Sequence, residues 1–181
     1  MGLAKLITST LVLWAASAVA LAAGPRDPEN YFFDQTLGDL TEELAEARDQ
    51  GKRGLLIFFE QEECPFCHRM KQTVLNQPQV QDFYKARFLI FPVDIESTVE
   101  ITDPAGKMTT QKDFFADVTR NRGATPVFAF FDLDGELVAR YTGATSGPDE
   151  FLWLGEYAAE GVYREMPFTR YKREKRRAER N

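Results

Sequence analysis

The sequence predicts an α/β protein in which helices cover both faces of one mixed β-sheet. Three short apolar runs bounded by polar or turn residues are typical of buried strands, and they lie at residues 55–59, 88–95 and 127–131. Segments with helical spacing of apolar residues separate and follow these runs, and no internal repeat is present. Alternating buried strands and amphipathic helices are what such a sheet requires.

In the first half of the chain, Asp39 and Glu42 form a capping box that predicts a helix ending near Gly51. The run LLIFF at residues 55–59 predicts the first strand. A helix from Phe66 to about residue 76 follows, because a proline at position 65 is tolerated at the first position of a helix. A second short helix is expected over residues 78–86.

In the second half, FLIFPVDI at residues 88–95 predicts a strand that Pro92 interrupts locally. Residues 96–107 are expected to be a loop, and residues 110–121 a helix. Two strands, at 127–131 and 136–141, flank an Asp134-Gly135 turn and predict a hairpin. Pro148 then opens a final helix.

Residues 1–22 predict an export signal that is cleaved on entry to the periplasm. Lys5 supplies a positive charge, the next residues to position 21 are apolar, and Ala20 and Ala22 supply small residues at cleavage spacing. An uncleaved membrane anchor is the alternative. The remaining chain divides into an N-terminal extension at 23–38, one domain at 39–163 and a basic tail at 164–181.

The charge is distributed unevenly. The whole chain has a formal net charge of −6. The tail carries eight Lys or Arg and three Asp or Glu, a net +5, which leaves −12 on the body between signal and tail. An acidic body argues against a nucleic-acid partner. The tail is expected to be a solvated helical or frayed terminus, with contact to an acidic partner or anionic lipid as the alternative.

Both cysteines of the chain lie in Cys64-Pro65-Phe66-Cys67-His68. Cys-x-x-Cys is the redox dithiol pattern, and Cys-x-x-Cys-His is the attachment pattern of c-type haem. In the redox interpretation, Cys64 lies at a helix N-terminus, where unpaired N–H groups favour a thiolate. Cys67 then lies one turn inward as a more sheltered resolving thiol.

The haem interpretation uses both cysteines for thioether bonds and His68 as an axial ligand, and a second ligand would come from Met108 or Met166. The predicted buried strands disfavour this electron-carrier interpretation, because small c-type cytochromes are mainly helical, but they leave it open as an alternative. A zinc site is weaker still, because Cys64, Cys67 and His68 are too crowded and no second Cys/His pair exists. No metal is therefore expected.

The segments LLIFFEQEECPFCHRM, FLIFPVDI, ATPVFAFFDLDGELVARYTG and FLWLGEYAAEGVY together resemble the thioredoxin superfamily. Within that superfamily, the chain is similar to exported thioredoxin-related proteins of the type associated with bacterial sulfur oxidation (SoxW-like), and the resemblance covers about residues 40–168. The resemblance implies a thioredoxin fold with N-terminal and C-terminal helical extensions.

The resemblance also implies roles for individual residues. Cys64 would be the nucleophile and Cys67 the resolving cysteine. Pro126 would be the cis-proline that faces the dithiol, and Thr125 would present its backbone to a bound substrate. Pro65 and Phe66, between the cysteines, are the remaining expected substrate-binding residues. No cofactor beyond a redox-active Cys64–Cys67 disulfide is expected.

Three features depart from ordinary thioredoxins, and the first is the pair between the cysteines, which is Pro-Phe and so is closer to the Pro-Tyr of glutaredoxins than to Gly-Pro. Glu63 replaces the tryptophan before the first cysteine, and Phe58 occupies the strand position of a buried aspartate. Glu60, Glu62 or Glu63 could replace that acid, although we expect them to be solvated loop residues. Negative charge near Cys64 would raise the pKa of its thiol.

These features predict a periplasmic thiol–disulfide oxidoreductase that reduces protein or small-molecule disulfides. The resemblance implies a membrane electron-donor protein as its partner. A thioredoxin-fold module that binds partners without catalysis is a further alternative. Oxidants, isomerases and reductases share such a dithiol and differ in reduction potential and partners.

Overall fold

A computed structural model describes residues 24–180, so the predicted export signal lies outside the described residues. The helices are α1 (Pro28–Tyr31), α2 (Leu40–Asp49), α3 (Pro65–Thr73), α4 (Pro78–Lys85), α5 (Gln111–Thr119), α6 (Pro148–Ala159) and α7 (Phe168–Ala178), with a 3-10 turn at Val162–Arg164. The strands are β1 (Gly54–Glu60), β2 (Phe88–Asp94), β3 (Glu100–Thr102), β4 (Met108–Thr110), β5 (Val127–Asp132) and β6 (Leu137–Thr142). No helix within this part of the chain is long and apolar enough to cross a membrane.

The central sheet has the strand order β2-β1-β5-β6. Strand β1 pairs in parallel with β2 and antiparallel with β5, and β5 forms the predicted hairpin with β6. The sheet is therefore mixed, as the sequence predicts. Because β1 and β2 run in the same direction, their carboxyl ends reach one end of the sheet, where β5 begins.

Both faces of the sheet are covered, which explains why its central strands are continuous apolar runs. Leu56 and Phe58 of β1 face a core formed with α3, α4, α6 and the two phenylalanines that follow α1. Leu55, Ile57 and Phe59 point to the opposite face and pack with α2 and α5. Every residue of this run is fully buried. The predicted α/β architecture is confirmed.

The prediction of a loop at residues 96–107 is wrong at residues 100–102. Part of it is β3, which pairs antiparallel with β4 in a separate two-stranded sheet. Asp103 closes the turn between them, since its carboxylate accepts hydrogen bonds from the backbone N–H groups of Ala105 and Lys107, both at 2.9 Å. Strands of three residues are too short to show an alternating pattern in sequence.

The predicted interruption at Pro92 is also wrong, because β2 continues through it and Pro92 pairs with Phe58 in register. A proline is tolerated here because β2 is an edge strand, where one amide can point away from the sheet. The N-terminal extension lies along this edge. Asp34 donates its backbone N–H to the carbonyl of Ile90 at 2.7 Å, and its carboxylate accepts the N–H of Ile90 at 2.9 Å.

The C-terminal tail is helical, as expected, but it is neither frayed nor fully solvated. Helix α7 packs against α6, with the ring of Phe168 5.3 Å from that of Tyr157 and 5.7 Å from that of Tyr141. Three of its cations pair with carboxylates of α6: Lys172 and Arg176 with Glu150, and Lys175 with Glu156. The tail is thus part of the folded body.

Candidate active site

The two cysteines occupy the first turn of α3, directly after the segment that leaves β1. Cys64 is the N-cap residue in an extended conformation, and its Sγ accepts a hydrogen bond from the backbone N–H of Cys67 at 3.0 Å. Pro65 takes the first helical position, where its missing N–H is not needed. The two sulfurs are joined in a disulfide bond.

Both cysteines are shielded in this disulfide form. Cys64 is 3% exposed and Cys67 is 1% exposed. The expected contrast between an exposed and a sheltered sulfur is therefore small. The neighbouring Pro65 and Phe66 are exposed, and 56% of Phe66 is accessible to solvent. An apolar ring this exposed beside a disulfide gives an approaching substrate a surface to contact.

Thr125 and Pro126 lie at the same end of the sheet as the dithiol. Phe59 pairs with Val127, so Pro126 is at the level where β1 gives way to the segment leading to Cys64. The Thr125-Pro126 peptide bond is cis, as the resemblance implies. The Thr125 hydroxyl donates to the side-chain oxygen of Gln61 at 3.3 Å, which ties the two segments together.

The acidic residues before Cys64 do not behave alike. Glu62 and Glu63 are exposed, as expected. Glu60 is not a solvated loop residue: it ends β1, and only 20% of its side chain is exposed. His68 is exposed, and its Nε2 donates to the backbone carbonyl of Glu62 at 2.9 Å. His68 therefore lies beside the motif.

Glu60 forms an ion pair with Lys71 at 2.8 Å, and Lys71 also pairs with Glu29 of α1 at 2.7 Å. Burial raises the pKa of Glu60 above its usual value, and the attraction of Lys71 offsets this only in part. Burial lowers the pKa of Lys71, but the two carboxylates more than offset it and hold the pKa above normal. Lys71 lies four residues after Cys67, so the pair shares the helix face of the second cysteine.

Phe58 is fully buried at the position where thioredoxins carry an aspartate. Its ring stacks on Phe33 at 5.5 Å and contacts Phe128 at 5.1 Å. The ammonium of Lys71 lies 5.3 Å from the centre of the Phe33 ring and 5.9 Å from that of Phe58. Glu60, two residues further along the chain, ends β1 and pairs with Lys71. Lys71 is not among the site residues predicted from the sequence, although its spacing of four residues from Cys67 indicates the same helix face.

Among residues 24–180, no group of three or more His, Cys, Asp or Glu is placed to hold a metal ion. The candidate site groups the disulfide with the exposed Phe66 and the Thr125-Pro126 segment, and the roles of these residues in substrate binding stay predictions.

A family model described as a thioredoxin-like domain matches residues 40–159. The chain belongs to the thioredoxin-like family. The matched region of this thioredoxin-like protein includes β1, the helix α3 that carries the dithiol, the Thr125-Pro126 segment and the β5–β6 hairpin. The narrower resemblance to SoxW-like proteins, and the predicted boundaries of the extension, domain and tail, stay predictions.

Solved structures share the fold at low sequence identity. A thioredoxin-fold protein from Helicobacter pylori is 20% identical, with a TM-score of 0.58 over 70% of this chain and 86% of that one. A putative disulphide isomerase from Bacteroides thetaiotaomicron is 20% identical, with a TM-score of 0.52 over 71% and 92%. A DsbH oxidoreductase is 15% identical, with a TM-score of 0.51 over 87% and 94%. No curated protein matches the chain.

A thioredoxin-like domain that carries a Cys-x-x-Cys pair at the start of its dithiol helix is a thiol–disulfide oxidoreductase. The redox-active group in such proteins is the disulfide itself. The redox interpretation of the five-residue motif therefore prevails over the haem interpretation.

Proposed function

We propose that this protein reduces disulfides of periplasmic proteins or small thiol compounds through Cys64 and Cys67. The observation that carries the proposal is the position of Cys64 as the N-cap of α3, with its sulfur accepting the N–H of Cys67. Donors and the helix dipole at this point stabilise a thiolate, the form that attacks a disulfide.

The reaction proceeds by two exchanges. The Cys64 thiolate attacks one sulfur of the substrate disulfide, forms a mixed disulfide and releases the other substrate sulfur as a thiolate. Cys67 loses its proton and attacks the Cys64 sulfur of the mixed disulfide. This second step releases the remaining substrate thiolate and forms the Cys64–Cys67 disulfide. The substrate gains two electrons, and a thiol donor must supply two electrons to restore the dithiol.

The surroundings support a polypeptide substrate. Phe66 offers an exposed ring next to Cys67, and Thr125 and Pro126, which precede β5, lie at the same end of the sheet as the dithiol. Placement in the periplasm rests on the predicted export signal at residues 1–22. A membrane protein that donates electrons to the disulfide completes the proposed cycle.

Replacing each cysteine tests the order of the two exchanges. Cys64→Ser should abolish reduction of a peptide disulfide, because the attacking thiolate is lost. Cys67→Ser should accumulate mixed disulfides that gel electrophoresis resolves without reductant and that dithiothreitol releases. Unchanged turnover in Cys64→Ser would sink the assignment. Partner capture that survives loss of both cysteines would favour a binding module.

The direction of electron flow is tested by the reduction potential of the Cys64–Cys67 pair against glutathione. A value near that of thioredoxin, about −270 mV, agrees with a reductase. A value near about −120 mV, typical of a strong periplasmic oxidant, would contradict the proposed direction and leave the dithiol chemistry in place. A Soret absorption band in protein expressed in a periplasm would instead establish the haem alternative.

A further inference from the structure

One face of helix α7 pairs with α6. Lys172 and Arg176 pair with Glu150 at 2.7 and 3.0 Å, and Lys175 pairs with Glu156 at 2.6 Å. The side chains of these three cations neutralise carboxylates of α6. Their positive charge is therefore balanced by carboxylates of the same molecule.

The opposite face of α7 carries a line of arginines without such partners. Arg170, Arg173, Arg177 and Arg180 recur at spacings of three and four residues, so they follow one side of the helix and of the turn after it. We call these four residues the arginine stripe. All four are exposed, and the ion pairs formed within residues 24–180 include none of them. The stripe is about 15 Å long at the rise of an α-helix.

The C-terminal end of α7 reaches the end of the sheet where the dithiol lies. The guanidinium of Arg176 donates to the hydroxyl of Ser146 at 3.4 Å. Ser146 belongs to the segment at residues 143–147 that joins β6 to α6. At the start of this segment, the N–H of Gly143 donates to the carbonyl of Pro126 at 2.8 Å.

The same segment also contacts the dithiol helix. The buried hydroxyl of Thr145 lies 3.7 Å from the sulfur of Met70, which is three residues after Cys67 on α3. The segment at residues 143–147 therefore contacts three parts of the protein, namely α7, the Pro126 carbonyl and the helix α3 that carries the dithiol. The last turns of α7 therefore lie towards the same end of the sheet as the dithiol.

We propose that the arginine stripe binds acidic segments of the polypeptide whose disulfide reacts at Cys64–Cys67, and so selects acidic redox partners. The proposal rests on the function proposed above. Arginine forks match carboxylates with paired hydrogen bonds, and unpaired cations beside a reactive site raise the encounter rate with oppositely charged partners. The stripe is thus a docking surface for carboxylates.

The charge of the rest of the protein favours a polypeptide over an anionic membrane. The body carries a net −12. A bilayer would bring a uniform negative surface against this acidic body as well as against the stripe. A polypeptide needs negative charge only where it meets the stripe, so it gains the attraction without the full repulsion.

The test compares two synthetic peptide disulfides of equal length, in which four positions beside the cysteine are all Asp or all Ser. The purified, pre-reduced protein is mixed with each peptide, and the second-order rate constant is measured at several salt concentrations. We expect the acidic peptide to react about tenfold faster at low ionic strength. This preference should shrink towards one at high salt because mobile ions screen exposed charges.

Two double variants remove the same charge from different places. Arg173→Gln/Arg177→Gln shortens the stripe and should lower the preference for the acidic peptide to about threefold or less. Arg53→Gln/Arg164→Gln removes two exposed cations that border a cavity at the opposite end of the sheet, and it should keep the full preference. Replacing the two stripe arginines with Lys should restore most of it, because the charge returns.

Three results would overturn one proposal or the other. Equal rates for the two peptides in the unaltered protein would overturn the docking role and leave the disulfide chemistry standing. Failure to reduce either peptide would overturn the proposed function itself. Vesicles of phosphatidylglycerol and phosphatidylcholine supply the third test. If Arg173→Gln/Arg177→Gln abolishes sedimentation with them but leaves the peptide preference unchanged, the stripe is a lipid-binding surface.

Discussion

Glu150 is the buried carboxylate that anchors the C-terminal helix, and its replacement by glutamine should release that helix. Only 3% of Glu150 is exposed. Its carboxylate accepts hydrogen bonds from Lys172 at 2.7 Å, Arg176 at 3.0 Å and the hydroxyl of Ser146 at 2.6 Å. A neutral amide of the same shape cannot balance the two cations, and Lys172 would keep a largely covered ammonium without a counter-charge.

The pKa of Glu150 gives the size of the effect. Burial raises this pKa, but the hydrogen bonds and charges of Lys172 and its neighbours outweigh burial and lower it from 4.5 to about 2. A depression of this size corresponds to at most about 3 kcal/mol of folding free energy. Half of the Arg176 side chain is exposed, so solvent screening reduces the expected loss in Glu150→Gln to about 2 kcal/mol.

Thermal unfolding at neutral pH should show a midpoint lower by about 4–8 °C in Glu150→Gln. Trypsin should also cleave α7 faster, because its Lys and Arg bonds become accessible when the helix leaves α6. Asp117→Asn is a suitable control, since its ion pair with Lys107 has more than half of each side chain exposed and should be worth little. Equal effects of the two variants on the midpoint and on cleavage would refute the reasoning.

The same pKa predicts a dependence on pH. The folded pKa of Glu150 lies below its unfolded value, so the stabilisation is complete above about pH 4.5 and is lost as pH falls towards 2. Between these limits, the free energy of unfolding should fall less steeply with acid in Glu150→Gln than in the unaltered protein. Urea unfolding at several pH values measures both slopes, and parallel slopes would contradict the assignment.

Two further substitutions test the packing of α4 against α6. Gly155→Ala should cost about 1–3 kcal/mol in urea unfolding, because the new Cβ would lie 2.6 Å from Phe83 and 2.8 Å from the ring of Tyr84. Gly147→Ala is the control, since no atom lies within 4 Å of its Cβ. Equal costs for the two variants would argue against close packing at Gly155. Tyr84→Phe should cost about 1–2 kcal/mol in thermal unfolding, because the buried hydroxyl donates to the carbonyl of Phe151 at 2.5 Å. An unchanged midpoint would show that this hydrogen bond makes no net contribution to the free energy of unfolding.

The long strands are readable from sequence because burial on both faces makes each of them a continuous apolar run. Strands β3 and β4 escape detection because three residues carry no period. Their pairing depends on a turn at Asp103 and on a backbone bond from Thr102 to Gly38. Local patterns report local structure, and this small sheet is held together by contacts between distant segments.

The candidate site shows the same division. The Cys64–Cys67 spacing is a local signal, and the position of Pro126 follows from a resemblance over the whole domain. The Glu60–Lys71 and Glu150–Lys172 pairs join residues 11 and 22 positions apart. Composition shows that opposite charges are present but does not show which of them meet. The sequence therefore indicates the reacting atoms better than it indicates the charges around them.

The contact between Asp34 and Ile90 at the outer edge of β2 also bears on how copies of this protein behave in a crowded compartment. An open edge strand is a template on which a strand of another molecule can add. Here the outward N–H and carbonyl of Ile90 are both occupied by Asp34, and Pro92, two residues along the same edge, has no N–H to offer. The segment before the thioredoxin-like domain thus protects the sheet against growth from one molecule to the next.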